Sequence, residues 1–294
     1  MNCSSKQKQA AVALPRRKLG RTEEMLSIIG FGGILVRNME QTVANDLVAR
    51  AFDHGVNYFD IAPTYGNAQY QLGPALKPYR NRCFLACKTL DRSKQGAERE
   101  LNESLKLLET DHFDLYQLHA LTTEDDVERA FGPDGAMELL IKARQEGKTR
   151  YLGFSAHSET AALLAMQKFD FDTILFPINF VCWFKGNFGA RVVAAAHEKG
   201  MGILALKALA FGAVPPGTQK PYQKLWYLPV EDDTLAALAL RFTLSQGATA
   251  AIPPGEDVFF WKAVTIAQKF EPITESELDT LKSKMQSAIP LFNA

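Results

Sequence analysis

Short apolar runs alternate along the chain with longer segments whose apolar residues recur at spacings of three and four. The short runs, rich in β-branched and aromatic residues, indicate buried strands, and the longer segments indicate amphipathic helices. Repeated strand–helix units predict a parallel α/β sheet, and eight strands would close a (β/α)8 TIM barrel. The predicted strands are residues 27–31, 57–59, 83–87, 113–118, 151–154, 173–176, 202–206 and 249–252.

The helical segments lie between these strands. No linker rich in Gly, Pro or Ser divides the chain, so we expect a single domain over residues 1–294, with residues 1–15 as a flexible lead-in. Near the carboxyl end, Thr274 and Glu277 have the spacing of a capping box, which predicts a terminal helix outside the barrel repeat. The other predicted helices are residues 42–53, 96–109, 134–146, 158–168, 189–199 and 233–246.

Three segments are too long for simple strand–helix connections: residues 120–135, 181–188 and 211–233. On a barrel, such additional loops usually define the substrate pocket. Large aromatic side chains suit pocket walls, although they could equally pack these loops onto the barrel, and the sequence leaves both options open. The aromatic residues expected around a ligand are Trp183, Phe184, Trp226 and Tyr227.

The composition narrows the choice of partner. The 294 residues carry 33 basic and 33 acidic side chains, so no broad basic surface favours nucleic acid or an anionic membrane, and we expect a small-molecule partner. The apolar patch at residues 10–14 is too short for a signal peptide or a membrane span. The cysteines form no CxxC pair, which favours reduced thiols and a cytoplasmic location, and the oligomeric state is not indicated. The cysteines are Cys3, Cys83, Cys87 and Cys182.

Four polar residues follow the predicted strands in order. Asp60 closes an apolar run, Tyr65 lies on the loop after it, and Lys88 and His119 end the next two strands. Singly, each could be an ordinary solvated or hydrogen-bonded residue. The carboxyl ends of barrel strands share one face, however, so the four together predict a site there. An ionised carboxylate could hold the lysine beside the phenol and lower the tyrosine pKa from about 10.

The motifs GRTEEMLSIIGFGG, FDIAPTYG, LYQLH and GFSAHS, with the strand ending in Lys88, resemble successive blocks of the aldo-keto reductase superfamily. The resemblance extends over residues 17–269. It implies a (β/α)8 barrel, a nicotinamide cofactor and reduction of aldehydes or ketones by hydride transfer. It also implies that Tyr65 is the general acid, that Lys88 paired with Asp60 assists it, and that His119 orients the carbonyl oxygen. This chemistry needs a proton donor and positive polarisation near the oxygen.

The same resemblance implies a set of cofactor contacts. Ser155 and Asn179 would hold the nicotinamide carboxamide, and a helix amino terminus after the last strand would meet the adenosine phosphate. The combination of His157 and Lys207 most resembles a bacterial branch of the superfamily. Some members of that branch carry an added iron–sulphur segment with clustered cysteines, which this chain does not have. The implied cofactor-binding residues are Gly33, Ser155, His157, Asn179, Lys207, Leu209, Phe211, Gly212, Pro253 and Gly255.

Some positions depart from the family pattern. Ala156, Leu175 and Leu206 replace the Asn, Gln and Tyr that many members use around the nicotinamide. Glu256 and Asp257 stand where a basic residue commonly binds the 2′-phosphate, and like charges repel. NADP(H) remains the cofactor that the resemblance implies. The two acidic residues make NAD(H), as well or instead, a hypothesis.

Two other classes of function compete with a reductase. A cofactor-binding regulatory or scaffold protein on the same barrel stays open, because the departures around the nicotinamide could weaken catalysis. A metal-dependent hydrolase would need clustered His and carboxylate ligands, and the histidines here are scattered, so no metal is expected.

Overall fold

A computed structural model of the chain describes residues 13–220 and 222–294. An eight-stranded parallel sheet, in the order β12-β9-β8-β7-β6-β5-β4-β3, curls into a nearly closed barrel. A parallel bridge between Ile29 and Ala251 joins its two edges. The predicted (β/α)8 barrel is thereby confirmed. The strands are β1 (Arg16–Lys18), β2 (Met25–Ser27), β3 (Phe31–Gly32), β4 (Tyr58–Asp60), β5 (Phe84–Thr89), β6 (Phe113–Leu121), β7 (Thr149–Ala156), β8 (Thr173–Pro177), β9 (Gly202–Leu206), β10 (Ala210–Ala213), β11 (Tyr227–Pro229) and β12 (Ala250–Ile252).

Helices surround the barrel, and the six helices predicted between strands are present with their ends within two residues of the expected positions. The terminal helix, expected over residues 274–292, ends earlier, at Lys284. The capping box of Thr274 and Glu277 begins the terminal helix as predicted. Two short 3-10 helices, Gly33–Val36 and Lys77–Arg82, follow β3 and α2. The helices are α1 (Gln41–Asp53), α2 (Ala68–Leu76), α3 (Lys94–Leu107), α4 (Glu124–Phe131), α5 (Ala136–Gln145), α6 (Glu159–Lys168), α7 (Phe180–Phe184), α8 (Ala190–Glu198), α9 (Asp233–Ser245), α10 (Asp257–Ala267) and α11 (Glu275–Lys284).

The amino-terminal hairpin was not predicted. Strands β1 and β2 pair antiparallel, with Arg16 opposite Ser27. Leu19 and Leu26 of this hairpin are buried in the same apolar cluster as Tyr58, Phe84 and Leu115, which lie on barrel strands. The hairpin therefore contributes to the core enclosed by the barrel strands.

The prediction for the first barrel strand was wrong in its bounds. Residues 27–31 were expected, but Ser27 ends the hairpin and the barrel strand is Phe31–Gly32. The apolar run is continuous because both elements are buried, so the pattern of hydrophobic residues gives no sign of the change from hairpin to barrel.

The three long segments have regular structure of their own. The first contains α4, begun by a capping box of Thr123 and Asp126. The second contains α7. The third begins and ends in the antiparallel hairpin of β10 and β11. Their helices and strands formed because local caps and strand pairing satisfy backbone groups that a bare loop would leave to solvent.

Several sequence-based expectations concern the chain outside the barrel repeat. Most of the predicted flexible lead-in, residues 1–12, and Cys3 lie outside the described residues. Cys83, Cys87 and Cys182 are free and buried, as expected. Within the described ranges no helix has the length and apolar character needed to cross a membrane.

Candidate active site

An ion pair between Lys88 and Asp60 lies at the carboxyl ends of two neighbouring strands, β5 and β4. Lys88 Nζ contacts Asp60 Oδ1 and also donates to the carbonyl oxygen of Ile61 at 3.2 Å. The two side chains are only 1% and 2% exposed. Burial, the largest single effect, lowers the pKa of Lys88, but the carboxylate of Asp60 together with Tyr65 and Cys87 raises it, so the net pKa of Lys88 is raised. The lysine therefore remains a charged group inside the protein, as long as Asp60 is ionised.

Two further donors hold Asp60, and the sequence analysis did not identify them. The Tyr58 hydroxyl and Gln117 Nε2 each lie 3.3 Å from Asp60 Oδ2. Gln117 is two residues before His119 on β6, so the period of a strand places it on the same face, one layer deeper in the barrel. The alternation of side chains along β6 could have placed Gln117 on this face from the sequence. Because its amide is fully buried, it needs a polar partner, and Asp60 is that partner.

Tyr65 lies beside this pair, on the loop after β4. Its ring centroid is 5.3 Å from Lys88 Nζ and 6.2 Å from the ring centroid of His119. Burial raises the pKa of Tyr65 and Lys88 lowers it, and the net pKa is above the usual value. The expected lowering by lysine is present but is outweighed by burial. Tyr65 is thus protonated at neutral pH and can act as a proton donor.

A bulge in β6 sets the position of His119. The register of β6 against β7 shifts between Leu118 and Leu121, and Ala120 has a positive φ of 54°. Arg92 Nη2 donates to the carbonyl oxygens of His119 and Ala120 at 2.8 and 3.0 Å. Such bulges are common beside active sites, where they redirect a side chain. Arg92, which no motif indicated, therefore fixes the backbone that carries the histidine.

The imidazole of His119 is neutral. Burial lowers its pKa to about 2, and the nearby charges of Lys88 and Arg92 and the ring of His157 act in the same direction. Nδ1 is buried and has no hydrogen-bond partner among the described residues. A neutral imidazole can donate a hydrogen bond to a carbonyl oxygen without contributing a full charge.

A cavity of about 250 Å³ opens above the ion pair. Asp60 and Tyr65 form part of its wall. Predicted cofactor residues, such as Lys207 after β9 and Gly255 after β12, also line it. A Cβ on Gly255 would come within 2.5 Å of Ile34, so this close approach needs a glycine. The residues around the cavity are Gly32, Ile34, Arg37, Asp60, Tyr65, Leu206, Lys207, Lys224, Leu225, Trp226, Tyr227, Ile252, Pro253 and Gly255.

Lys207 is positioned by its backbone and by two rings. It has a φ of 66°, and its Nζ lies 5.0 Å from the ring centroid of Trp226 and 4.7 Å from that of Tyr227. Burial lowers its pKa to about 8. The long segment before β11 thus supplies both an aromatic wall and the support for this cation.

The predicted nicotinamide contacts make hydrogen bonds within the protein. Ser155 Oγ accepts from the backbone N–H of Ala120 at 2.7 Å. The amide of Asn179 donates to the carbonyl oxygens of Lys207 and Ala210 at 3.0 and 2.6 Å. Asn179 Oδ1 caps α7. These two side chains therefore order the loops around the cavity.

Other predicted cofactor residues lie behind the cavity wall. A Cβ on Gly33 would come within 2.1 Å of the Ile61 side chain, and one on Gly212 within 2.7 Å of the Ile289 carbonyl oxygen. His157 stacks on Phe292, with ring centroids 5.2 Å apart, and burial lowers its pKa to about 4. Leu209 is fully buried and Phe211 packs against the core.

The four predicted pocket aromatics separate into two pairs. Trp226 and Tyr227 line the cavity. Trp183 and Phe184, on α7, instead pack against Phe242 of α9, with ring centroids 5.8 and 5.3 Å apart. The sequence left open whether these rings line a pocket or pack the loops onto the barrel. Trp183 and Phe184 pack onto the barrel.

Two basic residues at the cavity were missed by the sequence analysis. Arg37 follows β3, and Lys224 lies in the segment before β11. Arg37 Nη2 donates to the carbonyl oxygen of Gln223 at 3.2 Å, and Lys224 Nζ donates to that of Leu35 at 2.6 Å. Glu256 Oε1 accepts from the backbone N–H of Lys224 at 2.9 Å. Arg37 and Lys224 lie in irregular segments, where the pattern of hydrophobic residues does not indicate their position.

A larger surface depression, of about 820 Å³, is lined by Asp91, Arg92 and Asp134 among others. Two of its charged groups are paired, because Arg92 contacts Asp126 and Asp91 contacts Arg99. The described ranges contain no group of three or more His, Cys, Asp or Glu side chains that could hold a metal ion.

The fold and these side chains define an α/β barrel with a cluster of buried ionisable side chains at the carboxyl ends of its strands. The chain belongs to the aldo/keto reductase family, whose model matches residues 28–286.

Relatives of this chain have related names. The uncharacterized oxidoreductase YqkF of Bacillus subtilis (strain 168) is 32% identical over 155 residues, or 48% of each chain. The L-galactose dehydrogenase of Arabidopsis thaliana is 26% identical over 218 residues, which are 67% of this chain and 66% of the relative. The chain thus matches about half of the length of the first relative and about two thirds of the second. The aldo-keto reductase AKR11C1 from Bacillus halodurans, in its holo form, shares the fold, with a TM-score of 0.73, 22% identity and coverage of 94% of this chain and 98% of that one.

Proposed function

We propose that the protein reduces small aldehydes or ketones to alcohols by hydride transfer from NAD(P)H, with Tyr65 as the general acid. The observation that carries this proposal is the grouping of the buried Lys88–Asp60 pair and a neutral His119 around a protonated Tyr65, with Asp60 and Tyr65 lining one cavity. Free buried thiols favour a reducing, cytoplasmic setting.

The cavity wall suits a nicotinamide cofactor. Lys207 offers a cation to a pyrophosphate, Leu206 offers an apolar surface to a ring, and Gly255 leaves room near the start of α10. These residues would hold the cofactor, which supplies a hydride to the carbonyl carbon. The hydrogen bonds of Ser155 and Asn179 keep the loops that bear His119 and Lys207 in place.

The proton comes from the protein. His119 donates a hydrogen bond to the carbonyl oxygen and orients it. As negative charge develops on that oxygen, Tyr65 transfers its phenolic proton to it, and the product is an alcohol. Lys88 stabilises the resulting tyrosinate because its charge is maintained by Asp60. Solvent then returns a proton to Tyr65.

Fluorescence titration with NADH and NADPH, followed by cofactor oxidation on adding a panel of aldehydes and diketones, tests this function. Tyr65→Phe should lower turnover by about 10²- to 10⁴-fold, the range for loss of a general acid. Tyr70→Phe is the matched control, because Tyr70 is 57% exposed on α2. Equal turnover in wild type and Tyr65→Phe would contradict the proposal.

For the cofactor, NADPH is the family default, and we propose that NADH is used as well or instead. Glu256 and Asp257 place negative charge at the start of α10, where a 2′-phosphate would be repelled. The ratio of kcat/KM for the two cofactors tests this. A large preference for NADPH would contradict the use of NADH.

A second candidate, a cofactor-binding regulatory protein with little turnover, is favoured by one observation. The amide donors of Asn179 are already used by the backbone, which leaves fewer groups to fix a nicotinamide. Cofactor binding without turnover of any carbonyl compound would favour this alternative.

A further inference from the structure

The cavity carries an excess of positive charge. Arg37, Lys207 and Lys224 line it, and none of them has an ion pair with a carboxylate within residues 13–220 and 222–294. The acid in the lining is Asp60, whose charge is balanced by Lys88. Electrostatic complementarity therefore favours a ligand with negative charge.

Arg37 lies on the side of Tyr65, and Lys224 reaches from the start of α10, where its backbone N–H donates to Glu256, to the segment that bears Arg37. The aliphatic part of Arg37 packs over Gly66, the residue after Tyr65, since a Cβ at Gly66 would lie 3.4 Å from Arg37 Cδ. Lys224 is tied to Leu35, two residues before Arg37, by the 2.6 Å hydrogen bond from its ammonium group. Lys207 instead follows β9 and adjoins Leu206, on the proposed cofactor path.

Arg37 and Lys224 both keep unused hydrogen-bond donors. Arg37 Nε is buried and has no partner among the described residues, although buried donors of this kind are normally satisfied. An ammonium group has three donors, and the bond to Leu35 uses one of them. The Nε edge of a guanidinium group matches a carboxylate or phosphate with two parallel hydrogen bonds.

We propose that Arg37 and Lys224 bind an oxyanion on the substrate, so that the protein prefers small carbonyl compounds bearing a carboxylate or phosphate group. This inference rests on the proposed reductase function. The same chemistry would suit the phosphates of the cofactor, and the experiment below separates the two sources. Glu256 lies outside the cavity lining and is held by the backbone of Lys224.

The test compares 4-carboxybenzaldehyde with its neutral methyl ester, methyl 4-formylbenzoate. We expect wild type to prefer the acid in kcat/KM. Arg37→Met should reduce the acid-to-ester ratio by roughly 10- to 100-fold, the loss expected for a hydrogen-bonded charge pair, and Arg37→Lys should retain part of it. Arg129→Met, at a 71% exposed arginine outside the cavity, should keep the wild-type ratio. The Kd of NADH and NADPH is measured for each variant.

Several outcomes would overturn the inference. If wild type reduces both aldehydes without preference, the substrate site has no anion specificity. If Arg37→Met weakens cofactor binding and lowers kcat/KM equally for acid and ester, the cation serves a cofactor phosphate. Fluorescence titration with benzoate and with neutral benzyl alcohol measures anion binding at the site in the absence of turnover. Benzoate binding that Arg37→Met abolishes, with neither aldehyde reduced, would support the anion site and contradict the reductase function.

Discussion

At the scale of single residues, one carboxylate organises the site. Asp60 pairs with Lys88 through one oxygen and receives hydrogen bonds from Tyr58 and Gln117 at the other. Hydrogen bonds to a charged group are worth more than neutral ones, and in a buried setting they also fix its orientation. Lys88 is therefore positioned, through Asp60, by two residues that do not line the cavity.

The role of Gln117 is testable through Gln117→Leu. Removing one donor should loosen Asp60 and Lys88 and lower kcat/KM roughly tenfold. Lys88 lowers the pKa of Tyr65, so a displaced lysine should move the alkaline limit of reduction to higher pH. Thr173→Val is the control, because the hydroxyl of Thr173 is buried without a partner among the described residues. An unchanged pH profile in Gln117→Leu would argue against a positioning role.

The lowered pKa of Lys207 predicts that cofactor binding depends on pH. Burial holds its pKa at about 8, so it is protonated below that pH and loses its charge above it. A cofactor phosphate prefers the protonated lysine, so the cofactor Kd should be constant below pH 8 and rise above it, by up to roughly tenfold per pH unit. Titration across this range should show the rise in wild type. Lys207→Met should bind more weakly and show no such rise. A wild-type Kd that does not change above pH 8 would exclude Lys207 as the phosphate contact.

At the scale of elements, the bulge in β6 supports the candidate site and the amino-terminal hairpin supports the barrel core. The bulge gives Ala120 its positive φ, and hydrogen bonds from Arg92 and to Ser155 hold it. The hairpin of β1 and β2 adds Leu19 and Leu26 to the apolar cluster shared with the barrel strands. The bulge lies at the carboxyl ends of the strands, whereas the hairpin packs at their amino ends, where Leu19 lies against Gly202 at the start of β9.

Ser155→Ala separates two roles for that serine. The change leaves the backbone N–H of Ala120 without its acceptor, which should lower the free energy of unfolding by about 1–3 kcal/mol. Urea denaturation measures this loss, with Ser283→Ala on the exposed part of α11 as control. Unchanged stability together with a raised cofactor Kd would show that Ser155 serves the cofactor alone.

The contribution of the hairpin is tested by two adjacent residues of β2. Leu26 is 1% exposed and Met25 is 47% exposed. Leu26→Ala should cost about 2–5 kcal/mol of unfolding free energy, while Met25→Ala should change it by less than about 0.5 kcal/mol. Equal effects in urea denaturation would mean that the hairpin does not support the barrel core.

At the scale of the whole molecule, the parts predicted from sequence are those with a repeating signal. The barrel strands after the first, and six of the helices around them, follow from periodicity, whereas α2, α4 and α7 were not predicted. Asp60, Lys88 and His119 follow from strand ends sharing one face. Arg37, Arg92 and Lys224 lie in irregular segments, and their roles depend on contacts 27 to 189 residues apart in sequence. Such contacts leave no local pattern. The buried partners of Ser155 and Asn179 were likewise visible only in three dimensions.

Stopped-flow measurement of a single turnover tests the central claim most directly, because it observes oxidation of bound cofactor by an aldehyde free of product release. Wild type, Tyr65→Phe and Tyr70→Phe would each be saturated with NADH or NADPH and mixed with excess 4-carboxybenzaldehyde. The acid–base site predicts rapid oxidation in wild type and Tyr70→Phe, and a rate about 10²- to 10⁴-fold slower in Tyr65→Phe. Equal rates in all three proteins would contradict Tyr65 as the proton donor.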